Sequence, residues 1–595
     1  MQVLGITDGI SSGAAIIRDG QIISAVNEER LSRLKMAYGF PRMSIREVMR
    51  LAGASPKDID VVAVGTVNNY LIDELRDWDG WFQQDKGFIR NAVFSTASVF
   101  GSLVDRVPGL ESLYYASRWP IFAARRRGIC RIMRREFGIT APVQFINHHL
   151  AHATSAHFTS GFENATVVTM DGGGDGDSSH IYLARGDDLR LITRTSAFNS
   201  LGNYYAYVTH ICGYKAQKHE GKITGLAAHG TPIYEDLLDN MITFRDGRII
   251  NQAGVVFRGA LKELRKRLPA GWTKEDVSAS IQRHCERVVR EYVQYHLQKE
   301  GDGNVSIAGG IFANVRINQE VHQLPGVKNV FVHPGMTDGG LAVGAALALC
   351  MKDSRPQTMP RRKDVIRTVY HGAAYTDGEI RAALDQADLS YTEPANIEHE
   401  IAKLLVEGYV VARFDGAMEY GPRALGNRTI LYHPADRSVN DWLNDRLKRT
   451  EFMPFAPATI IERADRCYLH LQGGEDTARF MTITFFCTDW MKETCPGVVH
   501  LDGTARPQLV DKDDNPSFYK VLQEFEALTG IPSVINTSFN MHEEPIVCSP
   551  EDAIRAFKLG HLDYLAIGNY LCKSPYPIDH PITPMPRAAG VTARL

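Results

Sequence analysis

The feature that most constrains the fold is a pattern present twice: an apolar run ends in an Asp-Gly turn and a second apolar run returns from it. The first copy is VLGITDG followed by GAAIIRDGQIISAVNEER, three short β runs broken by Gly-rich turns, with Asp19-Gly20 as a hairpin signal. The second starts at Ala165, ATVVTMDGGGDGDSSHIYLARGDDLRLITR, and again reads as strand, Asp-Gly turn, strand, turn at Gly186 to Asp188, strand. A repeated unit of this kind predicts a duplicated α/β domain whose halves each open with a hairpin facing a nucleotide.

That is the plan of the actin, Hsp70 and sugar-kinase superfamily. At 595 residues the chain is long enough for more than one core. We place the first domain at 1–353 and a polar, Pro-containing linker at 354–364. A second α/β domain follows at 365–595, with apolar strands such as YVVARF and IPSVINTSF and a Pro-rich tail beyond Pro577. The stretch from about 70 to 138 interrupts the first domain. It carries Trp78, Trp81, Phe82, Phe94, Phe100, Tyr114, Tyr115 and Trp119 ahead of an Arg triplet at 125–127. We read it as a helical insertion, either a lid over an acceptor or an ordinary apolar stripe with a solvated basic face.

The net charge of −3 lacks the basic excess of a general nucleic-acid binder, so a small polar substrate is expected and nucleic acid is not. Nine Cys without a CxxC pair suggest neither a zinc ribbon nor a disulfide framework. No leader pattern and no apolar run approaching ~20 residues are found, so a cytoplasmic location without membrane attachment is expected. A homodimer is compatible with the composition but not indicated by it.

His148 and His152 stand four residues apart in AsnHisHisLeuAlaHisAlaThr and share one face if that segment is helical. Asp171 and Asp338 occupy turns that could complete a metal site. Two His with carboxylates and open positions suit Fe(II), Mn(II) or Zn(II). Gly-rich turns follow β runs at Gly172, Gly173 and Gly174, at Gly309 and Gly310, and at Gly339 with Gly340. Such turns bring backbone N–H groups to phosphate. In the second domain Arg423, Arg428, Lys448, Arg449 and Arg506 form a set suited to anionic ligands, several of them in Gly-Pro-Arg or Thr-Ala-Arg-Pro turns.

Seven strings in order resemble the NodU/CmcH carbamoyltransferases over nearly the whole chain: EERLSRLK (28–35), HHLAHA (148–153), EGKITGLA (220–227), GGIFAN (309–314), YGPRALGNR (420–428), DGTARPQ (502–508) and NTSFN (536–540). The resemblance implies a Kae1-like domain fused to a YrdC-like domain. The YrdC-like domain would convert carbamoyl phosphate and ATP, with Mg2+, into carbamoyl adenylate; the Kae1-like domain would pass the carbamoyl group to a hydroxyl of a small molecule. It implies that Arg423, Arg449, Arg506 and Asn536, joined by Arg428, Lys448 and Ser538, hold carbamoyl phosphate and nucleotide phosphates. His148, His152, Asp171 and Asp338 would hold iron(II). Lys35 would contact the adenylate, with Glu220, Lys222, Asn314 and Asn318 beside the glycine turns.

Two departures stand out. Where many members have a His-Asp-Ser string, with the His as proposed base, this chain has Ile10-Ser11-Ser12, and Asp8 or Asp171 is the expected substitute. Where the common form has Arg-Pro-Phe-Ala-Pro, it has Met453. The rivals are a tRNA threonylcarbamoyl transferase, disfavoured by the acidic charge, and an Hsp70-like ATP-binding regulator, in which the His pair and arginine set have no purpose.

Overall fold

The opening repeat folds as β1 (Gln2–Thr7), β2 (Gly13–Arg18) and β3 (Gln21–Asn27) in a computed structural model that describes residues 1–82, 113, 116, 118–352, 365–448 and 454–577. β1 runs antiparallel to β2 and parallel to β4 (Val61–Val64), which in turn pairs with β5 (Val143–Phe145). The second repeat forms β6 (Asn164–Gly174), β7 (Asp177–Arg185) and β8 (Asp188–Ser196). A two-stranded ribbon, β9 (Thr243–Arg245) with β10 (Arg248–Ile250), precedes β11 (Asn304–Ala308) and β12 (Asn329–Val332). The two five-stranded sheets are ordered β3-β2-β1-β4-β5 and β12-β11-β6-β7-β8. Matched strand for strand, β6, β7, β8, β11 and β12 take the places of β1 to β5, with the antiparallel first pair and parallel later pairs repeated. The fold is therefore the duplicated actin/Hsp70-type α/β plan.

The helix Leu341–Lys352, LAVGAALALCMK, is apolar on every side and is correspondingly buried, against β1 and the helix His148–Phe158. That packing sets the His-bearing helix beside the end of β6.

The chain divides into two units, the first formed by 1–23 and 36–365 and the second by 24–35 and 366–595. The second unit holds an eight-stranded sheet, ordered β13-β22-β21-β14-β15-β20-β16-β19. Its strands are β13 (Tyr391–Thr392), β14 (Val411–Phe414), β15 (Arg428–Tyr432), β16 (Ala456–Ile460), β19 (Gln508–Val510), β20 (Ser533–Ser538), β21 (Tyr564–Ile567) and β22 (Tyr570–Lys573), with β17 (Phe485–Phe486) and β18 (Thr504–Ala505) as a separate pair. Helix Pro516–Thr529 buries Phe518, Val521, Leu522 and Phe525 in this unit's core and ends at Gly530, whose φ of 73° suits a left-handed cap.

Among the described residues of the 70–138 stretch, only the first part departs from a helical reading. Residues 70–82 are irregular, with isolated bridges Tyr38 to Arg76 and Trp81 to Ala216, and Trp78 is buried edge-on to Tyr38. The helix Trp119–Glu136 is its described helical part. Phe94, Phe100, Tyr114 and Tyr115, the 354–364 linker and the tail beyond Pro577 lie outside the described residues. No described helix is long and apolar enough to cross a membrane.

Candidate active site

Asn147 starts the helix His148–Phe158, its side-chain oxygen accepting from Leu150 N at 3.0 Å. With one helical turn between them, His148 and His152 aim Nε2 at the same Asp171 Oδ2, at 3.3 and 3.2 Å, and each lies 3.7 Å from Asp338 Oδ1. All four ligand atoms fall within 4.8 Å of one another. Bonds of about 2.1 Å to one ion place neighbouring ligand atoms roughly 3.0–3.4 Å apart, so this donor set fits a single divalent cation. The histidine side chains are 5% and 0% exposed and the aspartates 16% and 30%, so the cluster opens on its carboxylate side. Burial alone would depress the His148 imidazole, but Asp171 and Asp338 outweigh it and hold it up at about 9. Burial would raise Asp171; the two imidazoles instead hold it well below the usual carboxylate range.

Glycine shapes this corner by close approach. A Cβ on Gly310 would lie 2.8 Å from Asp171 Oδ1, and one on Gly174 only 2.2 Å from the His148 ring. The Gly172 turn borders Asn203 and Gln217, whose amides would be 3.0 and 3.3 Å from a side chain placed there. Gln217 N donates to Glu220 Oε1 at 2.5 Å, and burial pushes the Glu220 carboxyl up to about 7. Lys222 is buried, its ammonium over the Tyr214 ring. Asn314 caps the helix Val315–His322 and spends its amide on Gln282 and Thr224. Asn318 is fully buried and donates to Phe312 O at 2.7 Å, so it closes the GGIFAN turn and is not a ligand-facing group.

Asp8 does not fit the role of proton acceptor. It is 1% exposed and both its oxygens accept from Arg125, at 2.6 and 2.8 Å. The Arg triplet is accordingly not a uniformly solvated face: Arg125 is 0% exposed and also donates to Thr66 O and Val67 O. Asp171, accepting from both imidazoles, is equally committed.

In the second unit the YGPRALGNR loop hangs on one carboxylate oxygen. Glu419 Oε1 accepts from the backbone N–H groups of Leu425, Asn427 and Arg428 at 2.8, 2.9 and 3.1 Å. Gln508 joins three motifs, donating to Leu425 O and accepting from Asn536 Nδ2. It thus ties together the segments that carry Arg423, Arg506 and Asn536, with Arg423 and Arg506 half-buried. Arg428 is corrected from ligand to scaffold. It is 0% exposed, lies over the Phe414 ring, and donates to the carbonyls of Ala373, Asp415, Gly416 and Asn427. Asn536 is likewise committed, to Gln508, Ala424 O and Thr429. Lys448 is exposed, and Arg449 and Met453 lie outside the described residues. The EERLSRLK string packs in this unit: Arg30 donates to Gly421 O and Arg33 to Pro545 O and Ile546 O, with Lys35 partly exposed at its end.

Residues 2–347 match the family described as Carbamoyltransferase N-terminus, and residues 402–574 match Carbamoyltransferase C-terminus. The chain belongs to the carbamoyltransferase family. Nodulation protein NolNO of Sinorhizobium fredii is 31% identical over 575 residues, covering 94% of this carbamoyltransferase and 78% of the relative. Nodulation protein NolO of Bradyrhizobium diazoefficiens is 32% identical over 435 residues, covering 72% and 79%. Among solved structures, T. kodakarensis HypF shares 11% identity at a TM-score of 0.33, over 59% of this chain and 47% of that one.

Three residues of this carbamoyltransferase are not marked by its sequence patterns. Arg125 sits in a run that resembles solvent-facing charge. Glu419 stands next to the phosphate-type loop, and its signal is that position alone. Asp175 lies between two glycines just past Asp171, where an acidic residue in a tight turn is the available clue.

Proposed function

We propose that this carbamoyltransferase forms carbamoyl adenylate from carbamoyl phosphate and ATP and transfers the carbamoyl group to a hydroxyl of a small molecule. Water would release phosphate from carbamoyl phosphate to leave carbamate. The carbamate oxygen would attack the α-phosphorus of ATP and expel pyrophosphate. An alcohol would then attack the carbonyl carbon, lose its proton and expel AMP. The observation that carries the reading is the His148, His152, Asp171 and Asp338 cluster, open on its carboxylate side, at the turn of β6 in a carbamoyltransferase fold.

The division of labour follows from chemistry. Carbamate is a poor electrophile until its oxygen leaves as AMP. A divalent ion held by the four residues, iron(II) in this reading, would supply Lewis acidity toward phosphate or carbonyl oxygen. Arg423 and Arg506 are suited to phosphate oxygens through their guanidinium forks. With Asp8 bound to Arg125, the proposed proton acceptor moves to Glu220, whose carboxyl near 7 matches exchange at neutral pH and whose turn borders Gly172.

Incubation with ATP, carbamoyl phosphate and a panel of sugars and other polyols tests the proposal. Mass spectrometry should show AMP and a carbamoyl mass gain on an acceptor. AMP release absent with every acceptor would remove the adenylate step.

A further inference from the structure

His148, one of the four clustered residues, is bonded through its backbone N–H to a residue outside the cluster. Asp175 has a φ of 55°, left-handed backbone that a carboxylate side chain tolerates better than most, and it sits between Gly174 and Gly176. Its two oxygens serve three backbone N–H groups. Oδ1 accepts from Asn68 N at 2.6 Å and Val67 N at 3.0 Å; Oδ2 accepts from Val67 N at 3.0 Å and His148 N at 2.7 Å. His148 N belongs to the first helical turn, whose N–H groups have no partner within the helix. Asn147 takes the N–H of Leu150 and leaves that of His148 to Asp175. The hairpin that carries Asp171 thereby holds the first residue of the helix that carries both imidazoles. Next to it, Gly174 leaves the space the His148 ring fills.

We infer that Asp175 is the positioning residue that presents His148 to the cation. The inference rests on the proposed reading of the four-residue cluster as a metal site. Two alternatives are separable from it. Asp175 could act only as a local cap, without consequence for the metal, or only as an extra negative charge near it. A cap would leave metal binding unmoved. A charge would weaken binding but leave the ligand set intact.

The test is titration of the purified full-length chain with Co(II), read by its visible d–d absorption, for wild type, Asp175→Asn, Asp175→Gly and His148→Ala. Asn keeps the left-handed preference but offers a carbonyl to one set of N–H groups and an amide to the other; Gly keeps the backbone and removes the side chain. We expect one Co(II) per wild-type chain. Affinity should fall about 10–100-fold in both Asp175 variants, the usual cost of losing a group that orients a ligand. At saturation their bands should move toward those of His148→Ala. Wild-type affinity in both variants overturns the inference and leaves the metal reading standing. Weakened affinity with wild-type bands at saturation makes Asp175 a charge and also overturns it. Loss of circular dichroism and of a cooperative melt in both variants makes Asp175 a folding residue and overturns the inference too. A wild-type chain that takes up no Co(II) removes the metal reading itself, and the inference with it.

Discussion

Asp8 and Arg125 form a buried two-pronged ion pair, 2.6 and 2.8 Å across, between the turn after β1 and the helix Trp119–Glu136. Removing one partner strands a charge in a dry place, typically at a cost of about 3–5 kcal/mol. Arg125→Met should therefore lower the urea midpoint sharply, and Asp8→Asn added to it should recover part of the loss. Carbamoyl transfer by Asp8→Asn should track its stability. If transfer fell on the order of 10² with an unchanged midpoint, Asp8 would act in the chemistry after all.

His148→Ala should bind less than one tenth of the metal that wild type retains, by elemental analysis of purified protein, and should lose acceptor carbamoylation. Its carbamoyl-phosphate-dependent release of pyrophosphate from ATP should persist, because that half-reaction is assigned to the second unit. Unchanged metal content would exclude His148 as a ligand.

Arg506→Ala should abolish pyrophosphate release while leaving circular dichroism and melting temperature near wild type, because a half-buried arginine in a turn contributes more to phosphate binding than to packing. Wild-type turnover in this variant would take Arg506 out of the adenylation site.

Glu220 predicts a pH signature. Its carboxyl titrates near 7 in the folded chain, against about 4.5 when unfolded, so the native state binds the extra proton between those values. Stability from this group is fully present below about 4.5 and declines as pH rises to about 7. The upper limit of the loss is roughly 3 kcal/mol. Glu220→Gln, neutral throughout, should gain on wild type at pH 8 but not at pH 4.5 in paired denaturation curves. The same variant should flatten the acid limb of the transfer rate. Parallel stability curves across this range would show that Glu220 is not held near neutrality.

The duplicated fold was legible because its signals are local: strand periodicity, Asp-Gly turns and their recurrence lie within 30 or so residues. The shared face of His148 and His152 was legible for a similar reason, since their four-residue spacing needs only a helix to bring them together. The partners of Asp8 and Arg428 were not. Arg125 lies 117 residues from Asp8, and no local pattern marks it among its neighbouring arginines. Arg428 reads as a ligand because a guanidinium fork beside a Gly-rich turn suits an anion, and burying it away from one is costly. Four backbone carbonyls and the face of Phe414 offset that cost, and they come together only in the folded sheet.

Residues 24–35 have a consequence for how the chain is made. Arg30 waits for Gly421, 391 positions later, and Arg33 for Ile546, 513 positions later. On the ribosome, where a chain grows at about 5–20 residues per second, these arginines emerge at once and stand without their native carbonyls for tens of seconds. The second unit thus begins in the first few seconds of synthesis and is closed only near its end. A fragment starting at 366 lacks the strand end and short helix that carry these arginines, and the buried carbonyl of Gly421 loses its donor. Supplied in trans as a peptide, residues 24–35 should raise the melting temperature of such a fragment.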